Sequence, residues 1–130
     1  MKQEKLSDTG GTMDVEAHEA DLLQALTELA GFLNRYGEDE WATYFRQCRD
    51  GLGYLIQENA SRSERASVAA RIRSVYGGMG SFRDLVIHPL NRHPVEEGAV
   101  SEVNQTLYEL AGKVYDLSWL YQEAQNGPVR

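Results

Sequence analysis

The sequence predicts an all-α fold: a compact bundle of four main helices, mostly antiparallel, with a glycine-rich junction before a long C-terminal helix. Three observations predict it. Apolar residues recur at the alternating three- and four-residue spacing that lines one face of a helix. No segment alternates apolar and polar residues as a half-buried strand does, apart from the ambiguous four-residue stretch 85–88. The links between periodic segments are mostly short and polar, which places neighbouring helices antiparallel. The chain has 130 residues, of which 42% are apolar and 25% charged, a globular composition within the ordinary single-domain range. The expected organisation is a flexible leader over 1–12, one helical domain over 13–125 and a flexible tail over 126–130. No internal repeat is visible.

The first helix is predicted over 14–36, where Leu22, Leu26, Leu29, Leu33 and Tyr36 follow a 4-3-4-3 spacing. Asp14, Glu16 and Glu19 lie in its early turns, where carboxylates complement the helix dipole, and Gly37 ends it. The second helix starts within Glu38, Asp39 and Glu40 and buries Trp41, Tyr44, Phe45, Cys48, Leu52, Leu55 and Ile56. Gly51 and Gly53 each weaken it by about 1 kcal/mol relative to alanine and suggest a bend or a close helix crossing. Ser61-x-x-Glu64 reads as a capping box opening a third helix to about residue 76, with Ala66, Ala69, Ile72 and Val75 on one side. Three glycines within Gly77-Gly78-Met79-Gly80 then interrupt the helix. Ser81-x-x-Asp84 resembles a capping-box variant that opens a short turn or extended piece. Pro89 and Pro94 mark a loop in which His88 stands just before the first proline and His93 just before the second. The last helix is expected over 95–125, with Val100, Val103, Leu107, Leu110, Ala111, Val114, Leu117 and Tyr121 facing inward.

Charge is unevenly distributed. Residues 1–40 hold ten acids against Lys2, Lys5 and Arg35, so the whole formal charge of −7 resides there and the rest of the chain balances. Within the balanced part, residues 61–92 carry six arginines against Glu64 and Asp84. Such polarity can steer a charged partner, although a charged helix face also serves solubility alone. Nucleic acid is not expected as a ligand, because phosphate binding needs a net basic footprint. The single cysteine, Cys48, excludes an intrachain disulfide and fits a reducing compartment. No run approaches the roughly 20 apolar residues of a membrane span, and the polar start lacks the apolar segment of a signal peptide. A cytoplasmic location is expected.

No complete catalytic site is visible. The GGMGS stretch (77–81) lacks the lysine and the preceding strand of a P-loop. A helix opening at Ser81 could still offer backbone amides to an anion beside Arg83, whereas the simpler reading is a tight turn whose glycines supply positive φ. His88 and His93 are five residues apart and His18 stands alone, so ordinary polar histidines are expected and no metal site or cofactor is. Cys48 falls in an apolar stripe and reads as a buried, inert thiol. Glu38, Asp39 and Glu40 are consecutive, point in different directions and suit the helix dipole better than acid–base catalysis. Trp119 and Tyr54 are the aromatic residues expected on the rim, where they could anchor a partner.

The stretch YGGMGSFRDLV (76–86) resembles a motif, approximately YGGMGSF-x-DLV, of a family of small bacterial helical proteins. In that family two or three amphipathic helices precede the motif and one long helix follows, a layout matching residues 20–122 here. The 87–94 insert has no counterpart in it. Members look like immunity proteins of bacterial toxin systems or like accessory proteins, and the resemblance brings no catalytic residues. It implies a cytoplasmic immunity protein that binds a cognate toxin or effector domain. The residues expected to meet that partner are Glu16, Glu19, Glu38, Asp39 and Glu40, together with Met79, Ser81, Arg83 and Asp84 of the glycine junction. Two alternatives are a small enzyme or anion-binding regulator using GGMGS with Arg83 and His88, and a homodimeric accessory protein.

Overall fold

The computed structural model describes residues 10–78 and 80–125. Four helices carry the fold: α1 (Gly10–Arg35), α2 (Asp39–Gln57), α3 (Arg62–Arg73) and α4 (Val100–Gln125). No strand occurs among the described residues. The bundle is closed as a ring in which α1 packs on α2 and α4, and α3 packs on α2 and α4. Neighbours run antiparallel. Tyr44 of α2 reaches Arg71 of α3 and Arg73 of α3 reaches Ser118 of α4, while on the other side Lys113 approaches Glu28 and Tyr121 meets Glu19.

Each link has a local cause. Gly37 adopts φ +83° after α1, and the Glu38 N–H donates to Leu33 O at 2.8 Å while the Gly37 N–H donates to Asn34 O, a Schellman termination. Asn59, with φ +57°, ends α2 the same way, its neighbour's Ala60 N–H donating to Leu55 O at 2.8 Å. The capping box forms as expected: Ser61 Oγ accepts from the Glu64 N–H, and the Ser61 N–H donates to Glu64 Oε1, both at 3.1 Å. Gly51 and Gly53 behave differently from expectation. α2 is continuous through both, and a Cβ at either would meet no atom within 4 Å, so they mark no close crossing.

The core runs along the helix stripes, through Leu22, Leu26, Leu29 and Leu33 of α1, Ala42, Phe45, Cys48 and Leu52 of α2, and Ala69 and Ile72 of α3. α4 adds Leu107, Val114 and Tyr121. The long connection from α3 to α4 is the irregular part. It drops Phe82 among Trp41, Phe45 and Tyr76, with ring centroids 4.8–5.4 Å away, and buries Ile87 completely. Three 3₁₀ turns punctuate it, at Phe82–Asp84, Pro89–Asn91 and Glu97–Ala99. The last replaces the first turn of the helix expected from residue 95, so α4 begins at Val100.

Polar groups hold this connection where apolar periodicity predicted nothing. Asn104, buried in α4, accepts the Ile87 N–H at 2.8 Å and donates to Ile87 O and Val100 O, each at 2.8 Å. One amide side chain thus supplies Ile87 with the pair of bonds a neighbouring strand would give. His93 is also buried, contrary to its expected role as an ordinary loop histidine. Its Nδ1 accepts the His88 N–H at 2.9 Å, which leaves Nε2 to carry the proton toward Glu38 Oε2 at 2.6 Å. The pair ties the connection to the N-terminus of α2.

Candidate functional site

The glycine junction is a built turn. Gly78 and Gly80 have φ +89° and +74°, conformations that side chains rarely adopt. Ser81 makes no side-chain cap bond, so the expected capping-box variant does not form. Instead Asp84 Oδ2 accepts the Gly80 N–H at 2.6 Å. The carboxylate takes an amide that an anion cradle would have used, and its negative charge disfavours a second anion beside it. Tyr76 closes the turn from below: its hydroxyl donates to Ala111 O of α4 at 2.8 Å, and burial pushes its pKa well above that of an ordinary phenol.

Between this junction and α4 lies a groove of about 500 Å³. Tyr76 and Phe82 form its junction side, and Leu107, Tyr108, Ala111, Gly112 and Tyr115 its α4 side, with Arg83 and Asp116 as the charged lining residues. On α4, residues 108, 112, 115 and 119 share one face by their spacing. Tyr108 is 55% exposed and Trp119 43% exposed, and a Cβ at Gly112 would meet no atom within 4 Å. Tyr108 and Trp119 thus lie open to solvent on this face, while Tyr115 between them is half-buried with its ring 5.0 Å from that of Tyr76. At its C-terminal end the Arg73 guanidinium stacks 3.8 Å from the centroid of the Trp119 ring, donating to Ser118 Oγ at 3.2 Å and to Gln122 Oε1.

A smaller cavity of about 190 Å³ lies between the start of α1 and the end of α4, lined by Val15, Glu16, Ala60, Arg62, Arg65 and Gln125. The Gln125 Nε2 faces burial without a hydrogen-bond partner among the described residues. Among those residues, no group of three or more His, Cys, Asp or Glu side chains is placed to hold a metal ion. Cys48 is fully buried and desolvation raises its thiol pKa, which suppresses the thiolate a nucleophile needs.

The residues expected to meet a partner do not form one surface. Glu16 is exposed near the start of α1, and Asp39 and Glu40 are exposed at the start of α2. α1 separates these groups by roughly 30 Å, at 1.5 Å per residue. Glu19 is a correction: it is buried, and its Oε2 accepts from Arg65 Nη1 at 3.1 Å and from the Tyr121 hydroxyl. It faces inward because it lies four residues after Val15 and three before Leu22, in register with the apolar stripe. Glu38 is a second correction, since His93 engages its carboxylate and only 23% of the side chain remains exposed. Met79 lies outside the described residues. Ser81 is half-buried, and Arg83 and Asp84 are exposed. Trp41 of α2 packs on Phe82 at 5.2 Å, so Asp39 and Glu40 share one end of the bundle with Arg83 and Asp84.

The α4 wall of the groove was not anticipated as a site. Tyr108, Gly112, Tyr115 and Asp116 lie off the inner stripe Leu107–Ala111–Val114, and their common spacing was the available signal.

A family model described as a domain of unknown function (DUF6966) matches residues 34–96, somewhat under half of the chain. The matched region includes the glycine junction and ends before α4, so it contains one side of the groove and not the other. No curated protein and no solved structure matches the chain. No helix of the described residues is long and apolar enough to cross a membrane.

Proposed function

We propose that the chain is a protein-binding module of the immunity type: a cytoplasmic protein that docks on a cognate bacterial toxin or effector domain and covers its active site or substrate entry. The observation that carries the binding reading is the open aromatic groove between the glycine junction and α4. Tyrosine, tryptophan and arginine dominate the energetics of protein interfaces, and here Tyr108, Tyr115 and Arg83 line one solvent-open groove, with the exposed Trp119 one turn further along the same face of α4. The docking face therefore shifts from the acids of the first helix to this groove. Asp39 and Glu40 lie at the same end of the bundle, where they steer a basic partner. Binding without chemistry is supported by how the reactive groups are used: Asp84 holds the Gly80 amide, Cys48 is buried, and His93 is tied to Glu38.

The exposure of Tyr108, Trp119 and Leu120 on one helix favours a second reading, a homodimer paired through α4. Light scattering at high protein concentration separates the two, because a strict monomer eliminates the dimer. The immunity reading is tested by co-expressing the chain with the product of the adjacent gene. Recovery of a stable complex and restored growth of the toxin-expressing host are the expected results. Absence of both sinks the reading.

A further inference from the structure

We infer that the part of the α4 face between Tyr108 and Tyr115 is a receptor for an arginine side chain presented by a partner protein. The inference rests on the docking reading above and supplies its chemistry. The same helix face already shows how it holds a guanidinium. Four residues beyond Tyr115, the Arg73 guanidinium sits over the Trp119 ring, 3.8 Å from its centroid, while Ser118 and Gln122 accept its N–H groups. A planar, weakly hydrated cation suits a ring face, and side-chain oxygens satisfy its in-plane donors. Arg71 lies over the Tyr44 ring more loosely, at 5.6 Å and without side-chain acceptors among the described residues.

Closer to the N-terminus of α4 the same components recur on the groove. Tyr108 and Tyr115 are two turns apart on one face, and Gly112 between them carries no side chain into the space. Asp116, the residue after Tyr115, is exposed and makes no ion pair among the described residues. It offers a charged acceptor one residue beyond Tyr115, whereas Ser118 and Gln122 stand one residue before and three after Trp119.

Charge complementarity selects a cation for the α4 side. α4 carries Glu102, Glu109, Asp116 and Glu123 against Lys113 alone, and Lys113 points toward Glu28 at 3.9 Å. Arg83 lines the junction side, so an incoming cation seats against Asp116 and away from Arg83. Arginine is preferred over lysine because its flat, weakly hydrated head stacks on an exposed ring such as that of Tyr108 while its in-plane N–H groups reach a carboxylate, a pairing that a compact, strongly hydrated ammonium makes less well.

The test uses the full chain labelled with ¹⁵N and titrated with acetyl-Gly-Arg-Gly-amide, alongside tripeptides carrying citrulline, lysine or glutamate at the centre. Saturable amide shifts at Tyr108, Gly112, Tyr115 and Asp116 are expected with the arginine peptide. The citrulline peptide, similar in shape but uncharged, should bind more weakly. Asp116→Asn should weaken the arginine peptide by roughly threefold to fivefold, the scale of one solvent-screened ion pair. Arg83→Gln should tighten binding, because the substitution removes the like charge on the junction side of the groove. Both positions are exposed, and an unchanged circular dichroism spectrum verifies that each variant folds.

Three results overturn the proposal. Preference for the glutamate peptide, lost in Arg83→Gln, assigns the groove to an anion. Shifts centred on Glu16, Asp39 and Glu40 reduce the effect to general acidity. Groove shifts that depend on protein concentration without peptide assign the face to a second copy. Growth rescue by co-expression is scored without any peptide. Rescue that survives loss of arginine recognition therefore overturns this inference alone, and failed rescue overturns the immunity reading alone.

Discussion

Replacing Glu19 separates a structural acid from a partner-binding one. Its Oε2 accepts from both Arg65 and the Tyr121 hydroxyl, and Tyr121 is fully buried. Alanine at this position leaves the Arg65 guanidinium bonded to Ala60 O through Nε alone, at 3.1 Å. Removing one partner of a fully buried ion pair costs roughly 3–5 kcal/mol. Here the two side chains remain 11% and 17% exposed, so partial solvent screening brings that contribution to about 2 kcal/mol. Leaving the Tyr121 hydroxyl without its acceptor adds about 1–2 kcal/mol. Glu19→Ala is thus expected to destabilise by about 3–4 kcal/mol, a fall in Tm on the order of 10–15 °C for a domain of this size. Glu19→Gln keeps an oxygen acceptor and should cost about half as much, while the exposed Glu16→Ala should stay within about 0.5 kcal/mol of the parent. Urea unfolding followed by circular dichroism measures all three. A Glu19→Ala midpoint equal to the parent's, or an equal loss in Glu16→Ala, refutes the assignment of Glu19 to the core.

Three further outcomes follow from the same bonds. Asn104→Leu removes the only side chain among the described residues that bonds the backbone of Ile87, so it should cost about 2–4 kcal/mol, the scale of two buried peptide groups losing partners, and should raise hydrogen exchange at Ile87. Gly51→Ala and Gly53→Ala, in a continuous helix with open space at Cβ, should each stabilise by about 0.5–1 kcal/mol, read as a higher urea midpoint. Burial raises the pKa values of Tyr76 and Tyr121 above the ordinary 10.0. Below that value both folded and unfolded chains hold these protons and stability is unaffected. Above it the unfolded chain releases them while the folded chain does not, so stability should fall by about 1.4 kcal/mol per pH unit for each residue. Urea midpoints from pH 9 to 11.5 check this, and midpoints flat across that range contradict it.

The helices were legible because their stripes are long and periodic. The positions Leu22, Leu26, Leu29 and Leu33 bury as their spacing requires, and Ser61 with Glu64 caps α3 through a motif local enough to read from four residues. Polar members of the same stripes escaped. Glu19 in α1, and Asn104, Ser118 and Gln125 in α4, hold buried register positions, yet hydropathy assigns such residues to the surface. What turns them inward is a partner far along the chain: Arg65 and Tyr121 for Glu19, Ile87 for Asn104. His93 gave no local signal, because its burial depends on Glu38 across the bundle. The groove was half legible. Its junction side lies within the YGGMGSF stretch, whereas its α4 side emerged only when α4 packed beside the junction and left Tyr108, Gly112 and Tyr115 facing it.

The central claim is that the groove between the junction and α4 is the docking face, and Gly112→Trp tests it most directly. The position opens into free space, so an indole there fills the groove while the core residues stay in place. Affinity for the co-expressed partner is measured by calorimetry, with urea unfolding of the same variant alongside. At least a hundredfold loss of affinity, on the order of 3 kcal/mol of a blocked interface hot spot, with unfolding stability within about 1 kcal/mol of the parent, is the result the account predicts. Parent-like affinity in a folded Gly112→Trp protein contradicts it and moves the docking face elsewhere on the bundle.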